Sequence, residues 1–161
     1  MCALLMELSG TVSSGLGRAQ VFMAQEHYQS QFKKILGQEV WPGTLNVQLS
    51  GEDFAKYVAL RESSGIDTLD IDEEIKLQSE QVDVSGIQAH RIRGFLREGR
   101  SFGGATAFLA TMKKSDSEDV DCAILIPDLT RHVDVVEIIS VDYLRESLNL
   151  VDGDVVSLKA C

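Results

Sequence analysis

Thr44 and Asn46 stand two residues apart in the stretch Trp41-Pro42-Gly43-Thr44-Leu45-Asn46-Val47-Gln48-Leu49. Pro42 fixes its own φ, Gly43 opens the backbone range a tight turn needs, and the chain then alternates. Leu45, Val47 and Leu49 fall on one face of a strand. Thr44, Asn46 and Gln48 fall on the other, because strand side chains switch sides at each residue. The polar face therefore carries a hydroxyl and a carboxamide oxygen side by side on rigid backbone. Two neutral oxygens of this kind can hold part of the shell of a hard cation such as magnesium, with phosphate oxygens and water completing it. A half-solvated strand with its polar residues toward water accounts for the same pattern.

Upstream lies Ser13-Ser14-Gly15-Leu16-Gly17-Arg18-Ala19-Gln20. Glycine lets backbone N–H groups approach a phosphate with no Cβ in the way, and the Arg18 guanidinium matches phosphate oxygens. No Gly-Lys-Ser/Thr follows, and no third glycine falls at dinucleotide-fold spacing, so a plain turn fits as well. Glu137 sits within Val135-Val136-Glu137-Ile138-Ile139, either pointing out of a strand or facing a cleft where it accepts hydrogen bonds. Thr130-Arg131-His132 forms a polar loop at the end of an apolar run, a place where ligand residues often sit. Arg145 follows Asp142-Tyr143-Leu144 on a short helix, where a plain helix surface explains it equally. His27, His90 and His132 show no metal-triad spacing, and no Gly-x-Ser-x-Gly elbow appears, so a hydrolase is poorly supported.

These groups need elements to position them. Residues 4–12 alternate as a first strand, and Val21-Phe22-Met23 reads as the start of a return strand or a short extended piece. A helix is expected over 25–36: Tyr28, Phe32, Ile35 and Leu36 recur at helical spacing, Lys33 and Lys34 favour its last turn, and Gly37 caps it. Ser50 is expected to cap a second helix with a stripe of Phe54, Tyr57 and Val58. Residues 66–84 hold six carboxylates between Asp67 and Glu80 and read as short strands and surface loops. Strands are expected over 87–95, 106–112, 122–126, 133–139 and 155–158, with turns at Glu98-Gly99-Arg100, 113–119 and Asp152-Gly153-Asp154. Helical spacing returns over 141–148. Six or seven strands with two or three short helices and no βαβ rhythm favour a closed or nearly closed β-barrel with peripheral helices.

The chain of 161 residues is long enough for one domain with a real core. No apolar run approaches the ~20 residues that span a bilayer, and the N-terminus lacks a basic signal-peptide region, so a cytoplasmic protein with no membrane partner is expected. The net charge of −10 argues against general nucleic-acid binding, yet a nucleotide needs only local positive charge. Arg91, Arg93, Arg97 and Arg100 crowd one such stretch. Cys2, Cys122 and Cys161 are odd in number and far apart, giving no disulfide framework or metal spacing, and Cys122 reads as a buried strand residue.

Taken together, the motifs resemble the archaeal CTP-dependent riboflavin kinases. The resemblance is carried in order by VSSGLGRAQVFM (Val12–Met23), HYQSQFKKILG (His27–Gly37), WPGTLNVQL (Trp41–Leu49), GFLREGRSFGG (Gly94–Gly104), AILIPDLTRH (Ala123–His132), VVEIIS (Val135–Ser140) and YLRESLNLVDGDVV (Tyr143–Val156). Residues 50–90 match poorly and read as a variable segment within a single domain, 1–161. The helix-turn-helix domain found at the N-terminus of some members is not expected here. The resemblance implies a mainly β fold, a small six-stranded cradle-loop (RIFT-like) barrel with a few peripheral helices. It implies CTP and riboflavin as substrates and magnesium on Thr44 and Asn46; a monomer is expected. Leu16, Gly17, Arg18, Ala19, Gln20 and Val21 would wrap the nucleotide phosphates. Asp142, Tyr143, Leu144 and Arg145 would contact the cytidine nucleotide, and Thr130 and Glu137 the flavin. Glu137 is also the best carboxylate for a general base, though none is identified. Where many members carry a second glycine and a different charged residue, this chain has Arg18-Ala19-Gln20. The alternative from another class is a non-catalytic barrel module binding a flavin or nucleotide, or a transcription-linked swapped-hairpin barrel, and the preference for CTP over ATP rests on resemblance alone.

Overall fold

A computed structural model of the chain describes residues 6–15, 19–68, 70–130 and 133–160, without the side chains of Gln20 and Val21. Among these residues lie nine strands and five helices. The strands are β1 (Met6–Ser13), β2 (Leu45–Gln48), β3 (Ala89–Ile92), β4 (Phe95–Arg97), β5 (Arg100–Phe102), β6 (Ala105–Lys113), β7 (Val120–Pro127), β8 (Val135–Ile139) and β9 (Val155–Ala160). The helices are α1 (Ala19–Met23), α2 (Glu26–Leu36), α3 (Gly51–Ser63), α4 (Glu73–Glu80) and α5 (Leu144–Ser147). No helix among the described residues is long and apolar enough to cross a membrane.

Six strands pair in the order β6-β7-β8-β2-β1-β9, and β9 returns to pair with β6. Every pairing is antiparallel, so the sheet closes into the expected six-stranded barrel. Closure removes the unpaired edges that an open sheet must protect. β3 lies outside the ring, paired to β6.

Alternation along each strand sorts side chains into two buried groups. Leu8, Val47, Phe108, Ile124, Val136 and Leu158 come one from each barrel strand and share one cluster, which is the barrel interior. Ala107, Leu125 and Ile139 face the other way and pack with Met23, Tyr28, Phe32, Val40 and Ile92 in a second cluster on the outer wall. α2 supplies Tyr28 and Phe32 to this second layer. It ends where the sequence indicates, with Gly37 at φ 86 and its N–H on the Lys33 carbonyl at 2.8 Å. Gln29, buried on the same helix, donates to the carbonyls of Met23 (2.8 Å) and Val40 (3.0 Å) and accepts from the Val40 N–H (2.8 Å). That side chain ties the end of α1 to the chain just ahead of the Trp41 turn.

α3 is held against β1 at its early half, which β2 does not reach. Asp53 accepts the Ser9 N–H at 3.0 Å and Lys56 donates to the Glu7 carbonyl at 2.8 Å. Ser50 stands at the N-cap of α3 with no side-chain capping bond, so its expected capping role is not met.

Three expectations fail for identifiable reasons. Val21-Phe22-Met23 is helical, part of α1, because an apolar run this short carries no decisive period. Residues 66–84 contain α4, started by Asp72, whose carboxylate accepts the Glu74 N–H at 3.1 Å. Its acidic surface masks the helical spacing, since Leu77 is exposed and only Ser79 is buried. The strand expected over 87–95 breaks between β3 and β4, where Gly94 packs so closely on the Phe102 carbonyl that a Cβ would collide with it. β4 and β5 then form a separate hairpin whose turn, Glu98 (φ 52) and Gly99 (φ 74), uses the positive φ values that a two-residue turn between twisted strands requires.

Phe108 is 1% exposed inside the barrel. Phe108→Ala is expected to cost about 3–5 kcal/mol through lost transfer energy and the cavity left behind. Urea unfolding measures this, and a loss under about 1 kcal/mol would show that the interior collapses around the gap.

Candidate active site

One row of residues crosses the outer wall of the barrel. Ser13 opposes Asn46, Asn46 opposes Glu137, Glu137 opposes Leu125, and Leu125 opposes Ala107. Directly opposed residues of antiparallel strands share a face, so these side chains stand side by side. The row is polar at the β1–β2–β8 end and apolar at the β7–β6 end. A ligand with a charged tail and a flat apolar body matches such a gradient.

Two depressions that share Thr44 lie near this row. The larger, of about 380 Å³, is lined by Phe22, Met23, Tyr28, Phe32, Ile92 and Leu125, with Thr44 and Glu137 as its polar groups. Its volume and mostly apolar lining suit a planar organic ligand. Among the described residues Glu137 is the one carboxylate in its wall. One side is braced: the Tyr28 hydroxyl donates to the Gly103 carbonyl at 2.5 Å, and Phe102 meets Phe22 edge-on at 6.0 Å while stacking on Phe95 at 4.6 Å. The smaller depression is lined by Trp41, Gly43, Thr44, Ser140, Asp142, Tyr143 and Arg145. Trp41 and Tyr143 stack at 4.5 Å and remain about 40% exposed, leaving aromatic surface open to a ligand. Thr44 belongs to both linings, so the two depressions adjoin at this residue.

Asn46 is 8% exposed, and its carboxamide oxygen lies 3.5 Å from the Thr44 hydroxyl. The two oxygens converge as the alternation in the sequence requires. Among the described residues no group of three or more His, Cys, Asp or Glu side chains is arranged to hold a metal ion. The pair Thr44–Asn46 is thus a set of neutral hard donors, suited to a magnesium ion that brings phosphate oxygens and water with it.

Arg145 is anchored beside the start of the glycine segment. Its guanidinium donates to Asp152 at 2.9 Å and lies 3.4 Å from the Ser13 carbonyl. Ser14 also donates to Asp152. Hydrogen bonds from Ser14, then Arg145, hold the Asp152 carboxyl below the usual carboxylate range. Asp154 is held low in the same way by the Val151 N–H and by Lys114. α5 is only one turn, shorter than the helical spacing over 141–148 indicates, and that turn is enough to set Arg145 over Ser13.

The structure places Thr44, Glu137, Asp142, Tyr143, Leu144 and Arg145 in the walls of the two depressions, with Asn46 beside Thr44 and opposite Glu137. Ala19 lines the larger, apolar one. Thr130 sits in the turn after β7, its N–H on the Pro127 carbonyl at 3.1 Å, next to the lining residue Leu129. Leu16, Gly17, Arg18, Arg131 and His132 lie outside the described residues, as do the side chains of Gln20 and Val21. Cys122 is 1% exposed on the barrel interior, and burial pushes its thiol well up, so it is inert packing. The sequence reading missed Trp41 as a stacking surface and Phe22, Tyr28 and Phe32 as lining residues. Their aromatic character was the only signal, and core packing explains that equally well before the fold is known.

Fold and site define a small closed β-barrel with two adjoining depressions that share Thr44. The chain belongs to the family whose model is labelled CTP-dep_RFKase and described as a domain of unknown function, DUF120, matched over residues 12–74 and 66–160. It is similar to the riboflavin kinase of Thermoplasma acidophilum, 34% identical over 152 residues covering 94% of this chain and 56% of that protein. The riboflavin kinase of Halobacterium salinarum is 35% identical over 154 residues, covering 94% and 55%. That of Methanosarcina mazei is 34% identical over 150 residues, covering 92% and 54%. The chain thus spans about half the length of the curated relatives it matches.

Asp152 gains its hydrogen bonds on folding, so its folded pKa lies below the ordinary 3.8. The stability it contributes is complete above that value and disappears as the pH falls through the folded one. Asp152→Asn is therefore expected to flatten the fall in melting temperature below about pH 4. An acid limb as steep as that of the unaltered chain would place the acid sensitivity in other carboxylates.

Proposed function

We propose that this chain is a CTP-dependent riboflavin kinase. It would move the γ-phosphoryl group of CTP to the 5′-hydroxyl of riboflavin and release FMN and CDP. The observation that carries the reading is the place of Thr44, in the wall common to an apolar, aromatic cavity and a smaller depression of mixed polarity. A flavin ring fits the chemistry of the first. A cytidine base would lie against the exposed faces of Trp41 and Tyr143 at the second, with its phosphates running toward Thr44. Family membership and the relatives' names support the same assignment.

In this reaction the riboflavin oxygen bonds to the γ-phosphorus, and the bond from that phosphorus to the bridging oxygen of CDP breaks. CDP leaves with the bonding electrons. The transition state is loose, so most of the acceleration comes from alignment and charge neutralisation. Residues 16–21, with the Arg18 guanidinium, would hold phosphates beside Arg145. Thr130 and Glu137 would position the flavin, and Glu137 would accept a hydrogen bond, or the proton itself, from the attacking hydroxyl. Thr44 and Asn46 would hold magnesium, which when bound neutralises phosphate charge. Both cavities are formed by a single chain, which makes a monomer sufficient, and the need for CTP makes the cytoplasm the fitting compartment.

Incubation with riboflavin, magnesium and CTP, ATP, GTP or UTP in turn, followed by chromatography of flavins, tests the reading. FMN is expected with CTP alone. No FMN with any nucleotide would sink the assignment, and equal yields from ATP would remove its CTP specificity. Thr44→Val with Asn46→Leu is expected to lower turnover by about 100-fold or more, the scale of losing charge-stabilising groups, with the melting curve preserved. Undiminished turnover in that variant would mean the metal is held elsewhere.

A further inference from the structure

We infer that Gly15 is a positioning residue that fixes which end of the Asn46 carboxamide faces Thr44. The inference rests on the magnesium reading above and deepens it. The β1–β2 ladder ends at Ser13 opposite Asn46, and two residues later the chain passes over the Asn46 side chain. A Cβ on Gly15 would lie 2.5 Å from Asn46 Nδ2, 3.5 Å from its Cγ and 3.9 Å from its Oδ1. The amide nitrogen is thus the end tucked under Gly15. The oxygen is the end turned to the Thr44 hydroxyl, at 3.5 Å.

Only the oxygen can ligate a cation; the N–H₂ end is a donor and would repel one. Asn46 is nine-tenths buried, which leaves its amide little room to swing. A methyl group at position 15 would have to displace the nitrogen, and in a planar amide the oxygen moves with it. Gly15 does not lie in the left-handed region, unlike Gly37, Gly51, Gly65, Gly99 and Gly153. Alanine there is accordingly a steric probe with no backbone penalty. Asn46→Ser removes the arm that the methyl group would strike while keeping an oxygen on the strand.

CDP binding is measured by calorimetry with and without magnesium, and manganese affinity in the presence of CDP by electron paramagnetic resonance. Gly15→Ala is expected to weaken metal-dependent CDP binding and manganese affinity at least tenfold, while metal-free CDP binding changes less than twofold. In the Asn46→Ser background the same alanine is expected to change either quantity less than twofold, the mark of direct coupling between the two positions. Metal-dependent binding within twofold of the unaltered chain in Gly15→Ala overturns the inference. So does an equal loss with and without metal. Should Gly15→Ala lower the melting temperature, Gly15→Ala with Asn46→Ser must restore it, and a double variant as unstable as the single one also overturns the inference. Absence of any metal-dependent CDP binding in the unaltered chain would instead remove the functional reading on which this one stands.

Discussion

Asn46 is held between two strands that leave it no choice of direction. Ser13 opposes it on one side and Glu137 on the other, and both pairings belong to a ring of strands that closes on itself. In an open sheet a one-residue slip would turn this side chain into the interior and bring Leu45 or Val47 out. Closure makes such a slip expensive, because every strand would have to shift with it. The site's geometry is thus a consequence of barrel register, and the register is secured by the apolar interior.

The two faces of the same strands do different work. Interior residues such as Val47, Ile124, Val136 and Leu158 are essentially inaccessible and supply cohesion. The alternate residues form an outer wall that is roofed only in part. α2 and β3 cover its apolar half, leaving a cavity between Phe32, Tyr28, Ile92 and Leu125. Gln29 keeps that roof in step with the Trp41 turn, because one buried carboxamide satisfies backbone groups at Met23 and Val40. Removing it would leave those groups unpaired in a low-dielectric layer, a costly state.

Charge is arranged locally against the overall balance. The chain carries −10, yet Arg145 stands at the edge of the smaller depression, steered by Asp152 toward the Ser13 carbonyl. An arginine so anchored gives up less freedom on meeting an anion than a mobile one. Asp152 remains a competitor for the same guanidinium, so an incoming phosphate would share Arg145 with it.

Local pattern alone determined a good part of this molecule. Pro42-Gly43 followed by strict alternation placed the turn and the strand β2, and with them the common face of Thr44 and Asn46. Gly37 and the lysines before it ended α2 where they should, and strand count with no βαβ rhythm indicated a barrel. Period-based reading failed where the period was too short or hidden, at α1 and α4. What only the tertiary structure decided is which residues of different strands stand opposite each other. It set Glu137 beside Asn46, Gly15 over the same amide, Tyr143 on Trp41, and Phe22 and Tyr28 into a cavity wall. The physical reason is that periodicity records which way a side chain points, whereas strand register and helix docking, set by burial across the whole chain, record what it points at.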